Sequence, residues 1–222
     1  MASHPPRRFV RFAPARADKS RLVDVRITDM TASDALWWDA RLGPHLALIA
    51  GRADRFWPWS ALLPVCHLVQ LAKRRFCRAL VIWARADNGQ FVRAGMSILI
   101  ERYPYLEIGT PSDSYFLWFI SAADSGVLSS HFGVSDPPAL GRVLLDDAIV
   151  LSQNDGLSGR MGLHAAAGGG PALIAVYVKC GLLRLPAAAA LPKAIGARND
   201  GRFFYADEPV AETLAALLDS AR

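Results

Sequence analysis

Residues 22–28, LVDVRIT, alternate apolar and polar positions, the period of a half-buried strand. Thr31, with Asp34 three places on, has the spacing of a capping box and predicts a helix near 33–42. Gly43-Pro44 is expected to break that helix. A mostly helical stretch then runs to about residue 74, interrupted by Trp57-Pro58-Trp59 and by Pro64. From residue 79 the period changes. Residues 79–85 (ALVIWAR) and 91–101 (FVRAGMSILIE) read as two strands joined by Asp87-Asn88-Gly89, a hairpin signal. Residues 115–121, YFLWFIS, are continuously apolar, as in a strand covered on both faces. A loop of about fifteen residues is expected after it, long enough to suggest function.

In the second half, strands and helices alternate. Asp136 is placed to cap a helix with Pro137 in its first turn, and Leu140, Val143, Leu144, Ala148 and Leu151 share one face. Asn154-Asp155-Gly156 ends it. Residues 160–165 predict a short strand, and Pro171 opens a helix to about Lys179 with Gly181 at its C′ position. Residues 182–185 and 202–206 read as strands on either side of an alanine-rich connection, and 208–220 as a final amphipathic helix. The expected class is α/β, a mixed central sheet with helices on its faces. Residues 21–222 are expected to form one domain, preceded by a basic tail over residues 1–20.

Composition narrows the function classes. Fifty-two per cent of the 222 residues are hydrophobic, ample for a core, yet no run of about 18 uncharged apolar residues exists. No membrane partner is expected. The first twenty residues hold Arg7, Arg8, Arg11, Arg16 and Lys19 against Asp18 and lack the apolar stretch of a secretory signal. They read as a disordered tail, with 1–18 dispensable for folding. The net charge of +5 fits an anionic partner, although much of it lies in that tail. A nucleic-acid partner ranks low, since no basic patch interleaved with aromatics occurs in the folded part. The three cysteines match no metal spacing and read as free thiols of a reducing, cytoplasmic compartment. The five histidines form no HxH or HxxxH pair, so no metal site is expected.

The candidate chemistry begins at residues 139–142. Ala139, Leu140, Gly141 and Arg142 open a helix after a long loop, and a helix N-terminus has unpaired amides and the positive end of a dipole. Such a start can hold a pyrophosphate. Taken together, ALGRVLLDDAI, GRMGLHA and ALIAVYVKCGL resemble GNAT-type N-acetyltransferases over residues 115–185. That family's signature is Arg/Gln-x-x-Gly-x-Gly/Ala at a helix start, followed by Ala…Tyr-x-Lys-x-Gly-Phe. Here the second motif reads Ala172, Tyr177, Lys179, Gly181 and Leu182. The first departs from the pattern. Asp136 stands at its Arg/Gln position, Ala139 at its first Gly, and Pro137 and Pro138 donate no N–H.

The resemblance implies acetyl-CoA as co-substrate, with no metal, and direct attack by a primary amine on the thioester. It implies that Ala139, Leu140, Gly141 and Arg142 hold the pyrophosphate, and that backbone around Ile120 and Ala122 meets the thioester. Tyr177 is then the acid that protonates the leaving thiolate. Glu101, Glu107 and His131 are the bases the sequence offers, each more commonly a solvated or hydrogen-bonded surface residue, and none is singled out. The aromatics Trp37, Trp38, Phe56, Trp57 and Trp59 either line an acceptor pocket or, more commonly for such residues, pack in the core. The acceptor, a small molecule or a protein amine, is open, as is monomer against homodimer. The rival reading is a catalytically degenerate binding or regulatory module on the same fold, marked by Asp136 and the two prolines.

Overall fold

A computed structural model describes residues 12–15, 21–73, 76–107, 112–192 and 198–219. Eight strands form one mixed sheet: β1 (Phe12–Pro14), β2 (Leu22–Asp29), β3 (Cys77–Arg85), β4 (Phe91–Pro104), β5 (Asp113–Ala122), β6 (Met161–His164), β7 (Leu183–Arg184) and β8 (Phe203–Ala206). Their order is β1-β2-β3-β4-β5-β6-β8-β7. All neighbours are antiparallel except β5 and β6, which run parallel. The helices are α1 (Ala32–Trp37), α2 (Gly43–Ala47), α3 (Trp59–Lys73), α4 (Ser125–Phe132), α5 (Leu140–Asn154), α6 (Gly170–Lys179) and α7 (Glu208–Ala216). The expected mixed α/β sheet is present.

Local sequence explains most of these elements. Thr31 Oγ1 accepts from the Asp34 N–H while the Asp34 carboxylate accepts from the Thr31 N–H, so the capping box closes in both directions. The β3–β4 hairpin turns where Gly89 takes a φ of 81°, a left-handed value that favours glycine. Helix α5 carries the deepest packing. Val143, Leu144, Ala148 and Ile149 are buried against the sheet, and eleven of its residues are buried in all.

Four expectations need correction. Gly43-Pro44 does not break the chain's helical course. A π-helical turn, Trp38–Leu42, leads directly into α2, where Pro44 sits in the first turn and its missing N–H costs nothing. Pro64 likewise lies inside α3. The long loop after β5 contains α4, capped by Asp124, whose carboxylate accepts from the N–H groups of Gly126 and Val127. Asp136 does not cap α5, because the helix starts at Leu140 with Ala139, three residues after Asp136, at the N-cap. Asp136 instead pairs with Arg21 at 3.0 Å.

The tail expectation changes in part. Residues 12–14 pair with 22–24, and Ala15 bridges to Pro138, just ahead of α5. Ala13 and Ala15 are fully buried. This stretch is therefore a strand, not tail. The rest of the expected tail, 1–11 and 16–20, lies outside the described residues.

Candidate active site

The sheet opens at one place. β6 pairs with β5 only at Tyr115–Leu117 opposite Met161–Leu163, whereas β5 continues on its β4 side to Ala122. In the β4–β5 ladder Ile98 faces Phe119 and Leu99 faces Leu117, leaving Trp118 as the extra residue of a β-bulge. A bulge bends its strand, so β5 turns away from β6 from Trp118 onward. The Ala123 N–H bonds the Ala94 carbonyl on the β4 side. Alternation along the strand then turns the backbone groups of Ile120 and Ala122 the other way, into the wedge.

The wedge is the head of a cleft of about 430 Å³ lined by Ile120, Ala122, Gly141, His164 and Tyr177. A smaller recess of about 230 Å³ adjoins it, lined by Pro138, Ala139, Leu140, Gly141 and Arg142. Gly141, Ala123 and Cys180 border both. The structure thus gathers Ile120, Ala122, Gly141 and Tyr177 in one cavity and Ala139, Leu140 and Arg142 beside it. No side chain caps α5. A Cβ placed on Gly141 would meet nothing within 4 Å. An open, uncapped helix start beside Arg142 suits an anionic group. The carboxylate of Asp136 pairs with Arg21 and is not among the residues that line the recess.

Tyr177 is buried on α6, its ring 5.5 Å from that of Phe204. Burial, and then the nearness of Cys180 and Asp54, pushes its hydroxyl well above the ordinary tyrosine value. The group therefore holds its proton through neutral pH.

The loop between α2 and α3 closes one side of the cleft. Arg52 grips both oxygens of Asp54, at 3.0 and 2.6 Å, and donates to the Ala122 carbonyl at 2.7 Å. The Ser121 hydroxyl donates to the same Asp54 carboxylate. Trp57 stands edge-on to Phe119 at 5.0 Å. Three contacts thus fasten this loop to the bent half of β5. Among the aromatics considered from sequence, Trp57 lines the cleft, Trp38 and Trp59 are buried in the core, Trp37 packs on Phe132, and Phe56 is exposed beside Arg55.

None of the three bases suggested by sequence reaches the cleft. Glu101 pairs with Arg78 on the far part of β4. His131 stacks on His45 at 4.0 Å. Sequence reasoning missed Arg52, Asp54 and His164, whose partners lie far along the chain. The Ser121–Asp54 bond spans 67 residues, and His164 bonds Asp200, 36 residues away. No group of three metal-ligating side chains occurs among the described residues. No helix among them is long and apolar enough to cross a membrane.

No protein-family model matches this chain, and no curated protein matches it. Solved structures resemble it in outline. A tyrosine-to-phenylalanine variant of the AtaT toxin, bound to the C-terminus of the antitoxin AtaR and acetyl-CoA, aligns at a TM-score of 0.48 and 14% identity over 86% of this chain and 97% of its own. The spermidine N-acetyltransferase of Vibrio cholerae, in complex with CoA and spermine, aligns at 0.45 and 13% over 85% and 98%. A GNAT-superfamily phosphinothricin acetyltransferase from Sinorhizobium meliloti, in complex with AcCoA, aligns at 0.44 and 12% over 82% and 87%. Likenesses this distant transfer neither substrate nor activity. With a mixed sheet that opens between two parallel strands beside an uncapped helix start, the chain resembles GNAT-type acetyltransferases in fold.

Proposed function

We propose that the protein is an N-acyltransferase that moves an acetyl or related acyl group from a coenzyme A thioester to a primary amine. The observation that carries this reading is the adjacency of two spaces, the open start of α5 and the wedge beside β5, with Gly141 bordering both. A ligand with a diphosphate at one end and a thioester at the other needs that combination. The amides at 139–142 and the Arg142 guanidinium hold the diphosphate. Backbone groups of Ile120 and Ala122 meet the acyl end, where an N–H stabilises the oxyanion that forms when an amine attacks the carbonyl. Tyr177 gives its proton to the departing sulfur. The bound thioester supplies an activated acyl carbon, and no metal is needed for its transfer. The three free cysteines suit a reducing, cytoplasmic setting.

The alternative is a degenerate binding module marked by Asp136 and the two prolines; the Asp136–Arg21 ion pair weakens the first of these marks and leaves the prolines. Gly141→Glu tests the coenzyme placement. The new side chain enters open space, so the fold is kept, while its length and negative charge oppose a diphosphate. Calorimetry is expected to give at least about a tenfold loss of acetyl-CoA affinity, about 1.4 kcal/mol. Unchanged affinity in the folded variant overturns the placement.

A further inference from the structure

His164 closes β6 where the sheet opens, and it lines the cleft together with Tyr177, Ile120 and Ala122. Its Nε2 lies 3.1 Å from each oxygen of Asp200. Desolvation pushes the Asp200 carboxyl up, but hydrogen bonds from His164 and the Arg202 N–H outweigh it and hold the group below the usual carboxylate range. Asp200 is therefore an ionised acceptor at neutral pH. Nε2 must carry the hydrogen that it accepts, which leaves the lone pair of the neutral ring on Nδ1. Among the described residues Nδ1 makes no hydrogen bond. The ring is held on its other side by Phe203, at 4.5 Å between centroids.

The surrounding charges are otherwise engaged. Arg202 directs its guanidinium to the carbonyls of Ala165, Ala166 and Gly170. Arg52 and Asp54 neutralise each other across the cleft. Tyr177 holds its proton. His164 thus lines the cleft with an Nδ1 that no hydrogen bond engages among the described residues.

We propose that His164 is the general base of this site, positioned by Asp200, and that the acceptor is an amine that arrives as an ammonium ion. The assignment rests on the acyltransferase reading. An alkylammonium, with a pKa of about 10, has almost no free amine at pH 7, so attack requires loss of a proton first. Nδ1 takes that proton and the ring becomes an imidazolium facing the Asp200 carboxylate. The nitrogen lone pair forms the new C–N bond, the C–S bond breaks, and the sulfur takes the Tyr177 proton. The attacking nitrogen, left with one proton too many for an amide, passes it through water to the Tyr177 phenolate, and the imidazolium proton is released to solvent. The balance is an amide, free coenzyme A and one proton released for each ammonium and thioester consumed.

Parent, His164→Gln and Asp200→Asn are compared with acetyl-CoA and a panel of primary alkylamines, read as thiol released from about pH 6 to about pH 9, a range that brackets the ordinary imidazole value. His164→Gln is expected to lose about 10²-fold or more in kcat near pH 7 while acetyl-CoA affinity by calorimetry is kept. Its deficit narrows as pH rises and the free amine grows, which a structural role would not produce. Asp200→Asn keeps the shape but not the charge, and kcat is expected to fall about tenfold or more with unchanged acetyl-CoA affinity. Free imidazole is expected to restore part of the rate to His164→Ala. Equal turnover and the same pH profile in parent and His164→Gln overturn the assignment and leave the transferase reading standing. A parent that does not bind acetyl-CoA, or binds it and acylates no amine, overturns the transferase reading and this assignment with it.

Discussion

Tyr177 packs in the core and is also the acid of the proposed reaction, and the two roles can be tested apart. Its ring is buried beside Phe204, the residue lines the cleft, and burial is the main cause that raises the pKa of its hydroxyl. Tyr177→Phe keeps the ring and removes only the oxygen. Stability should change by no more than about one hydrogen bond, ~0.5–1.5 kcal/mol. Turnover should drop about 10²-fold with acetyl-CoA affinity retained, measured as thiol release alongside calorimetry. Because the shift is upward, the hydroxyl stays protonated past its ordinary value of 10.0, so no alkaline loss of rate below that pH should trace to it. The position of Tyr177 was legible from a local run, Ala172 to Leu182. That of His164 was not. A histidine gains meaning here from a carboxylate 36 residues away, and no spacing rule reaches that far.

Among the elements, α1 and its capping box were readable because cap chemistry depends on neighbours three residues apart. The box is reinforced from outside. Arg93 on β4 reaches Asp34 at 2.8 Å, and its guanidinium lies 4.9 Å from the centre of the Trp37 ring and 4.6 Å from that of Trp83. Desolvation raises the Asp34 pKa, yet the Thr31 hydrogen bonds and then Arg93 outweigh it, and the net shift is downward from 3.8. A carboxyl that is more acidic in the folded state contributes stability that is complete above the unfolded value and disappears as pH falls through the folded one. Denaturant melts of parent and Asp34→Asn should therefore differ by about 1 kcal/mol or more near neutral pH and converge as the pH falls below the ordinary carboxylate range. A constant gap across that range would show that the carboxylate charge is not what matters. Helix α4 was missed for a related reason. Its eight residues contain glycine and two adjacent serines, a composition that reads as loop, and the Asp124 cap decides otherwise.

At the scale of the whole molecule, the N-terminal strand ties two distant parts together. β1 pairs with β2, and Ala15 bridges to Pro138 at the threshold of α5, where Arg21 also holds Asp136. Removing residues 1–15 takes away two fully buried alanines and both connections. A loss of about 2 kcal/mol would lower Tm by about 4–8 °C in a chain of this size. Acetyl-CoA affinity should weaken as well, since the segment leading into α5 loses its support. A truncated chain with the parent's Tm and affinity would show that β1 does not matter to the fold in solution.

The sequence by itself determined what depends on near neighbours: the strand periods of β2 to β5, the hairpin at Gly89, the buried face of α5, and the run around Tyr177. The expected class of mixed α/β sheet followed from their alternation. Tertiary structure decided what depends on meetings across the chain. β5 was legible as a buried strand, but that it bends at Trp118 and parts from β6 is a matter of register between strands. The tail-like stretch at 12–15 became a strand because β2 offered it an edge, a gain of cross-strand hydrogen bonds that no local propensity records. The polar wall of the cleft, Arg52 on Ala122, Ser121 on Asp54 and His164 on Asp200, exists only once residues 36 to 70 places apart are brought within 3.1 Å. Hydrogen bonds act over a few ångströms of space and are indifferent to distance along the chain.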